Sequence, residues 1–136
     1  MSRGVPFAFF AAAAVSVTLG MAWGIQMGIA EDFMLAPAHA HLNLVGWVTL
    51  ALFGIYYRMT PAAAARPLAR IHAGLAILGV ALFVPGIALS ILGAGHGLAI
   101  IGSLVSFASM LVFLVTVLRH GFGAGAGAGS GAGLRG

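Results

Sequence analysis

Four long apolar stretches, separated by short breaks that contain polar residues, glycine or proline, fill the first 120 residues of the chain. A helical run of about 17–25 apolar residues is long enough to cross the hydrocarbon layer of a membrane. The pattern therefore predicts an all-α fold, an integral membrane four-helix bundle that forms a single domain over residues 1–120. The second span is short unless the turn before it is embedded as well. We expect the spans at Val5–Ala30, Leu42–Tyr57, Ile71–Leu92 and Gly97–Leu118.

The composition makes lipid the solvent for most of this chain. Hydrophobic residues account for 62% of it and charged residues for only 6%, which is too little charge to cover the surface of a soluble domain. Cysteine is absent from the sequence, which excludes disulfides, thiolate metal sites and iron–sulfur clusters. Histidine and methionine therefore remain as the ligands that suit a transition metal.

The positions of the basic residues predict how the bundle is oriented. All of them are arginines, and they lie before the first span, between the second and third spans, or after the fourth: Arg3, Arg58, Arg66, Arg70, Arg119 and Arg135. The positive-inside rule then places both termini in the cytoplasm of a bacterial-type inner membrane, with the two arginine-free loops outside. Because the arginines mark span ends, the net charge of +4 does not indicate binding to nucleic acid.

Both ends of the chain differ from a plain membrane span. Arg3 followed by an alanine-rich run resembles a secretory signal peptide, but the apolar run is much longer than that of a signal, so we expect the first span to be retained. Residues 121–136 consist mainly of glycine and alanine and lack the side chains to build a core. They predict a flexible cytoplasmic tail.

The candidate chemistry centres on Ala38-His39-Ala40-His41, at the entrance to the second span. Successive residues of an α-helix are rotated by ~100°, so these two histidine side chains are expected to point about 200° apart. Neutral imidazole is the commonest metal ligand in proteins, and an ionisable group in a membrane span is a functional candidate. We expect His39 and His41 to bind two different groups on opposite sides of the helix. The alternative is that lipid headgroups or water wet both rings.

Three further residues complete the candidate cofactor site. Asn43 and Gly46 share a helix face with His39, and Gly46 is expected to leave room for a planar macrocycle against the helix. His96 lies before the fourth span, in a loop that the topology returns to the same side of the membrane as the first two histidines. We therefore expect three histidines at one membrane face.

The loop before the histidine pair carries the two acidic residues of the protein, Glu31 and Asp32. Such carboxylates can orient a ligating imidazole through its second nitrogen or offset the charge of a bound metal. The alternative is that they only make a short loop wettable. Met34 in the same loop is a candidate soft ligand, although methionine in an apolar loop is also a common packing residue.

Two features lie outside this site. Gly20, Gly24 and Gly28 repeat at one-turn spacing on the first span, and we expect this face to pack closely against another helix of the same chain rather than against a second copy. His72 and His120 belong to the opposite, arginine-bearing side of the membrane. We expect an interfacial position for His72 rather than a second site with His120.

The segment from His39 to Gly46 resembles the His-x-His segment of the catalytic subunits of heme–copper oxidases and nitric oxide reductases, and the histidine-rich segments of NnrS-type heme and copper membrane proteins. His96-Gly97 is similar to the His-Gly that supplies the other axial ligand of the low-spin heme in that superfamily. The resemblance implies that His41 and His96 are the axial pair of a low-spin heme b, and that His39 faces a second group.

The leading hypothesis is a membrane heme b protein that transfers electrons or binds a diatomic gas, as a homodimer or as a subunit of a respiratory complex. A second hypothesis is a copper protein for metal handling or oxidase assembly, with His39, His41, His96 and Met34 as ligands; it requires the turn after Pro37 to be unwound. Metal-free acid–base chemistry or proton transport by the carboxylates and histidines is a third, and a purely structural subunit a fourth.

Overall fold

The protein is described here by a computed structural model of residues 4–123. This part of the chain is helical apart from short connections, has no β-strand, and contains four helices long and apolar enough to cross a membrane. The prediction of an all-α chain with four spans is confirmed. The predicted tail lies outside the described residues from 124 onward. The helices are α1 (Val5–Ala30), α2 (Ala36–Met59), α3 (Pro61–Ala64), α4 (Pro67–Ile91) and α5 (Gly97–His120), of which all but the short α3 are candidate spans.

The second span is longer than its apolar pattern predicts. It begins at Ala36, so the turn that bears His39 and His41 belongs to the membrane helix and not to the preceding loop. Pro37 lies in the first turn, where its fixed φ and missing N–H suit the start of a helix. A proline starts α4 in the same way, at Pro67, one turn before the predicted start.

The four spans form two hairpins that meet along α4. The helices α1 and α2 pack against each other, as do α4 and α5, and α4 also contacts both helices of the first hairpin. At one end of the bundle, Phe113 of α5 reaches Phe53 and Tyr56 of α2. The most apolar stretch of α5 is only 11% buried, so one side of this helix is left uncovered by the rest of the described chain.

Backbone-to-backbone contact joins α4 to α5. A Cβ atom at Gly86 would lie 2.4 Å from the backbone nitrogen of Ala99, and one at Gly102 would lie 2.4 Å from the backbone nitrogen of Phe83. No side chain of any size fits in these positions unless the helices move apart. Close approach through small residues is how membrane helices gain packing energy where lipid offers no hydrophobic drive for association.

The glycine face of α1 packs against α2 of the same chain, as the sequence predicts. Two of its three glycines take part in this contact. A Cβ atom at Gly20 would lie 2.4 Å from the side-chain oxygen of Asn43, and one at Gly24 would lie 3.1 Å from Cε1 of His39. A Cβ atom at Gly28 would have no neighbour within 4 Å. The two packed glycines therefore hold α1 against the His39 face of α2.

The prediction that His72 lies at the membrane interface is wrong, because this side chain is fully buried in a cluster of aromatic rings. The inner side of α4 faces the three other spans here. The His72 ring lies 4.6 Å from that of Phe53 and 5.0 Å from that of Phe9, and the Phe113 ring stacks on it at 5.6 Å. Its Nδ1 atom is 3.0 Å from the hydroxyl of Tyr57, which can donate to it. This aromatic cluster joins all four spans.

The two ends of the bundle differ in chemistry, and the surface between them is apolar. Large exposed side chains such as Leu19, Leu104 and Phe107 point away from the bundle, as contact with lipid requires. We call one end the histidine end; it carries Glu31, Asp32, His39, His41 and His96. We call the other the arginine end; it carries Arg58, Arg66, Arg70, Arg119 and His120.

We expect Gly102→Ala to destabilise the bundle by about 1–3 kcal/mol, the usual cost of overpacking, because the new methyl group would lie against the backbone of Phe83. The measurement is the free energy of unfolding by SDS in mixed micelles. Gly74→Ala is the matched control, since a Cβ atom there would have no neighbour within 4 Å. Equal stability of the two variants would contradict the close contact between α4 and α5.

Candidate functional site

The histidine pair lies on a helix that changes type directly behind it. Residues Ala36–His41 are α-helical, Leu42–Thr49 are π-helical, and the α-helix resumes at Leu50. The Thr49 hydroxyl donates to the carbonyl of Leu44, five residues earlier, at 2.8 Å. π-helical segments inside α-helices are rare and occur frequently at functional sites. Sequence reasoning missed this segment, because its apolar residues carry no signal for it.

His39 faces α1 across an open groove of about 510 Å³. The side-chain amide nitrogen of Asn43 donates to the backbone carbonyl oxygen of His39 at 3.0 Å. The same nitrogen lies 3.3 Å from Nε2 of the His39 ring. The other ring nitrogen, Nδ1, is buried and has no hydrogen-bond partner among the residues that the structure describes. Trp23 of α1 packs edge-on against the ring, with centroids 6.1 Å apart. Gly20 and Gly24 line the groove beneath it.

His41 points to the other side of α2, as the rotation between the two histidines predicts, and packs edge-on against Phe83 of α4 with ring centroids 5.1 Å apart. Its Nδ1 atom lies 2.7 Å from the carbonyl oxygen of Pro37. A carbonyl can only accept, so Nδ1 carries the proton of the neutral ring and Nε2 keeps a free lone pair. Histidines that bind metals are oriented by such a hydrogen bond in nearly every case.

His96 lies directly before α5 and is exposed. Its Nδ1 atom is hydrogen-bonded to the hydroxyl of Ser90, in the last turn of α4. The turn between these two residues includes Gly93 at φ +79° and Gly95 at φ +101°, values that glycine adopts without strain. Ser90 was not among the predicted site residues. Its one sequence signal is a hydroxyl group near the end of an apolar span.

His41 and His96 therefore contact the same face of α4. Their partners on α4, Phe83 and Ser90, are seven residues apart, which is two helical turns or about 10 Å along the axis. His39 is directed instead to the groove against α1. Within residues 4–123 no group of three or more histidine, aspartate and glutamate side chains is close enough to hold a single metal ion.

The acidic loop makes no hydrogen bond to the histidines in the described chain. Glu31 ends α1 in the left-handed conformation, with φ of 51° and its N–H bonded to the carbonyl of Met27. The Asp32 carboxylate accepts from the backbone N–H of Met34 at 3.0 Å, and the Met34 side chain is 54% exposed. In the described chain neither carboxylate is hydrogen-bonded to an imidazole. The orientation expected from them is supplied to His41 by the carbonyl of Pro37.

Gly46 does not leave the space that was expected beside it. A Cβ atom at this position would lie 2.9 Å from Cβ of Ser16 and 3.2 Å from Cγ1 of Val80. Both α1 and α4 contact α2 here, so the missing side chain is used for helix packing. The face that Gly46 shares with His39 and Asn43 is filled at this depth.

The chain is similar to part of a curated membrane protein. The chain is 40% identical over 96 residues to the heme-copper oxidase subunit I+III of Aeropyrum pernix. The match includes 62% of this chain and 12% of that protein, so the chain spans about an eighth of the length of the curated relative it matches. A scan against known protein families finds no match, and no solved structure matches the chain.

We expect Gly20→Ala to disturb the His39 ring through Asn43. The new methyl group would lie 2.4 Å from the Asn43 side-chain oxygen, so that amide must rotate and give up its hydrogen bonds to His39, at a cost of about 1 kcal/mol. The measurement is the ¹⁵N chemical shift of the His39 ring in histidine-labelled protein. Gly28→Ala is the matched control, because it adds the same methyl group to the same face of α1 at a position with no neighbour within 4 Å, and it should leave the shift unchanged.

Proposed function

We propose that this chain is a membrane redox protein that binds heme b at its histidine end, with His41 and His96 as the axial ligands, and that it transfers electrons. The observation that carries the proposal is the orientation of His41. Its Nδ1–H is bonded to the Pro37 carbonyl, so the neutral ring presents the unprotonated Nε2 that an iron ligand needs.

His96 supports the proposal in two ways. It also has its Nδ1 atom engaged, by the Ser90 hydroxyl, which leaves Nε2 as the nitrogen that faces outward. Phe83 and Ser90 align the two histidines along one face of α4, about two helical turns apart. His41 and His96 would hold the heme, whose chemistry would be one-electron transfer.

The likeness to the Aeropyrum pernix protein supports a redox role at the coarse level. That protein is named a heme-copper oxidase subunit, and 62% of the present chain takes part in the match. A heme with two imidazole ligands has no open coordination position, so it supplies one-electron transfer and not substrate binding. The residues of this chain hold and orient the ligands, and the surrounding lipid keeps water away from one side of the site.

Copper held by His39, His41, His96 and Met34 fits the contacts less well. The turn from Ala36 to His41 is α-helical, so His39 and His41 contact different helices and do not converge on one ion. The two-sided arrangement suits two separate groups. We propose that His39 faces a second group in its groove, and that the protein works as a subunit of a larger respiratory assembly whose other members supply and accept the electrons.

The first test is the reduced-minus-oxidised absorption spectrum of protein purified from cells with ample heme supply. We expect sharp α and Soret bands in the wild type and their loss in His41→Ala and in His96→Ala, because each removes one axial ligand. His120→Ala is the matched control: its ring is bonded to Thr116 at the arginine end, and the spectrum should not change.

Three outcomes would contradict the proposal. A colourless wild-type protein would exclude heme, and metal analysis would then distinguish a copper protein from one without a cofactor. Full heme binding in His41→Ala would exclude that residue as a ligand. Carbon monoxide binding by the reduced wild type would indicate an open coordination position, and with it a gas-binding role in place of electron transfer.

We also propose that the arginine end faces the cytoplasm, as the positive-inside rule predicts. Because the chain has no cysteine, single cysteines can report the orientation. We expect Ala94→Cys, in the loop at the histidine end, to react with a membrane-impermeant maleimide in intact cells. Ala65→Cys, between α3 and α4, should react only after the cells are permeabilised. The reverse labelling pattern would overturn the orientation.

A further inference from the structure

A separate pocket lies at the arginine end, where α3, the start of α4 and the end of α5 meet. Its volume is about 360 Å³. Its lining includes Arg66, Arg119 and His120. It also includes the apolar residues Leu68 and Ala69, which we call the apolar floor. The histidine-end site uses none of these residues, so the pocket needs an explanation of its own.

The chain offers no acidic side chain to these arginines. Its two acidic residues, Glu31 and Asp32, both lie between α1 and α2 at the histidine end. Arg66 directly precedes α4 and Arg119 lies in the last turn of α5, both at the edge of the apolar layer. Both side chains are exposed in the described chain, so an anion from outside can reach them. The acidic side chains of the protein supply no counter-charge at this end.

Two carbonyl groups in the last turns of α5 are already hydrogen-bonded. The Thr116 carbonyl accepts from Nδ1 of His120 at 3.1 Å and from the Tyr56 hydroxyl at 3.4 Å. The Val117 carbonyl accepts from the backbone N–H of Gly121 at 2.8 Å. These two carbonyl groups are therefore engaged by groups of the chain other than the arginines.

We propose that this pocket binds the phosphate group of one anionic phospholipid from the surrounding bilayer. A guanidinium group donates two parallel hydrogen bonds to phosphate, and two arginines line the same pocket here. The ends of α4 and α5 bring the pocket to the depth at which headgroups lie. Basic pockets between membrane helices are known to recognise anionic headgroups, and the apolar floor matches the glycerol and acyl part of a lipid.

The test is a titration of the full chain in neutral detergent with phosphatidylglycerol, followed by native mass spectrometry. We expect one phosphatidylglycerol to bind to the wild type, and Arg66→Gln with Arg119→Gln to weaken its binding at least about tenfold. Arg58→Gln with Arg70→Gln is the matched control, because it removes the same charge from the same end outside the pocket. We expect the control to bind within about twofold of the wild type.

Equal weakening in both double variants would overturn the proposal, since the lipid would then respond to total charge and not to the pocket. Unchanged binding in both would overturn it too. If the double variant does not fold, the single variants Arg66→Gln and Arg119→Gln replace it, each with an expected loss of about fivefold. Inorganic phosphate distinguishes the sources of the ligand. If phosphate binds alone and phosphatidylglycerol does not, the pocket holds a free anion and the lipid assignment is wrong.

Discussion

Two helices in lipid gain little by covering apolar side chains with each other, because the lipid tails are just as apolar, and they must gain instead from close packing. Both hairpins of this bundle depend on that constraint. Gly86 and Gly102 allow α4 to touch the backbone of α5, and Gly20, Gly24 and Gly46 allow α2 to approach α1 and α4. Where a glycine meets a side chain instead of backbone, that side chain is fixed in place. The same constraint that assembles the helices therefore also positions Asn43 and His39.

The packing of α2 between α1 and α4 explains why the two histidines have separate environments. Because α1 occupies the face that bears His39, and α4 the face that bears His41, each ring has its own neighbours and its own hydrogen bond. Directly behind them the chain takes up the π-helical form over Leu42–Thr49, which widens the helix where Gly46 is wedged between its two neighbours. If this segment were α-helical, the residues after Thr49 would be rotated differently about the helix axis, and other side chains would face α1 and α4.

Much of the fold could be predicted from the sequence, because a membrane permits few alternatives to long apolar helices. The spans, the two-sided histidine pair and the packing of Gly20 and Gly24 within the chain all follow from spacing. The predictions that were wrong or missing concern which neighbours surround a single residue. His72 was expected at the interface, since rotation about the axis of α4 cannot be read from an all-apolar span. Gly46 was expected to line a space, although a missing side chain serves a neighbouring helix equally well. Ser90 was missed because its contact with a residue across a turn depends on the conformation of that turn.

The aromatic cluster around His72 lies far from the histidine end of the bundle. On α1, Phe9 packs against His72 and Gly24 packs against His39; the two positions are fifteen residues apart, or about 22 Å along the helix. At that distance His72 cannot take part in a site at the histidine end. His72 is instead buried among four aromatic rings, and Tyr57 is its hydrogen-bond partner. In this position it contacts residues of all three other spans and helps to hold the four spans together. With the spans joined there, a change at the histidine end need not be transmitted to the arginine end.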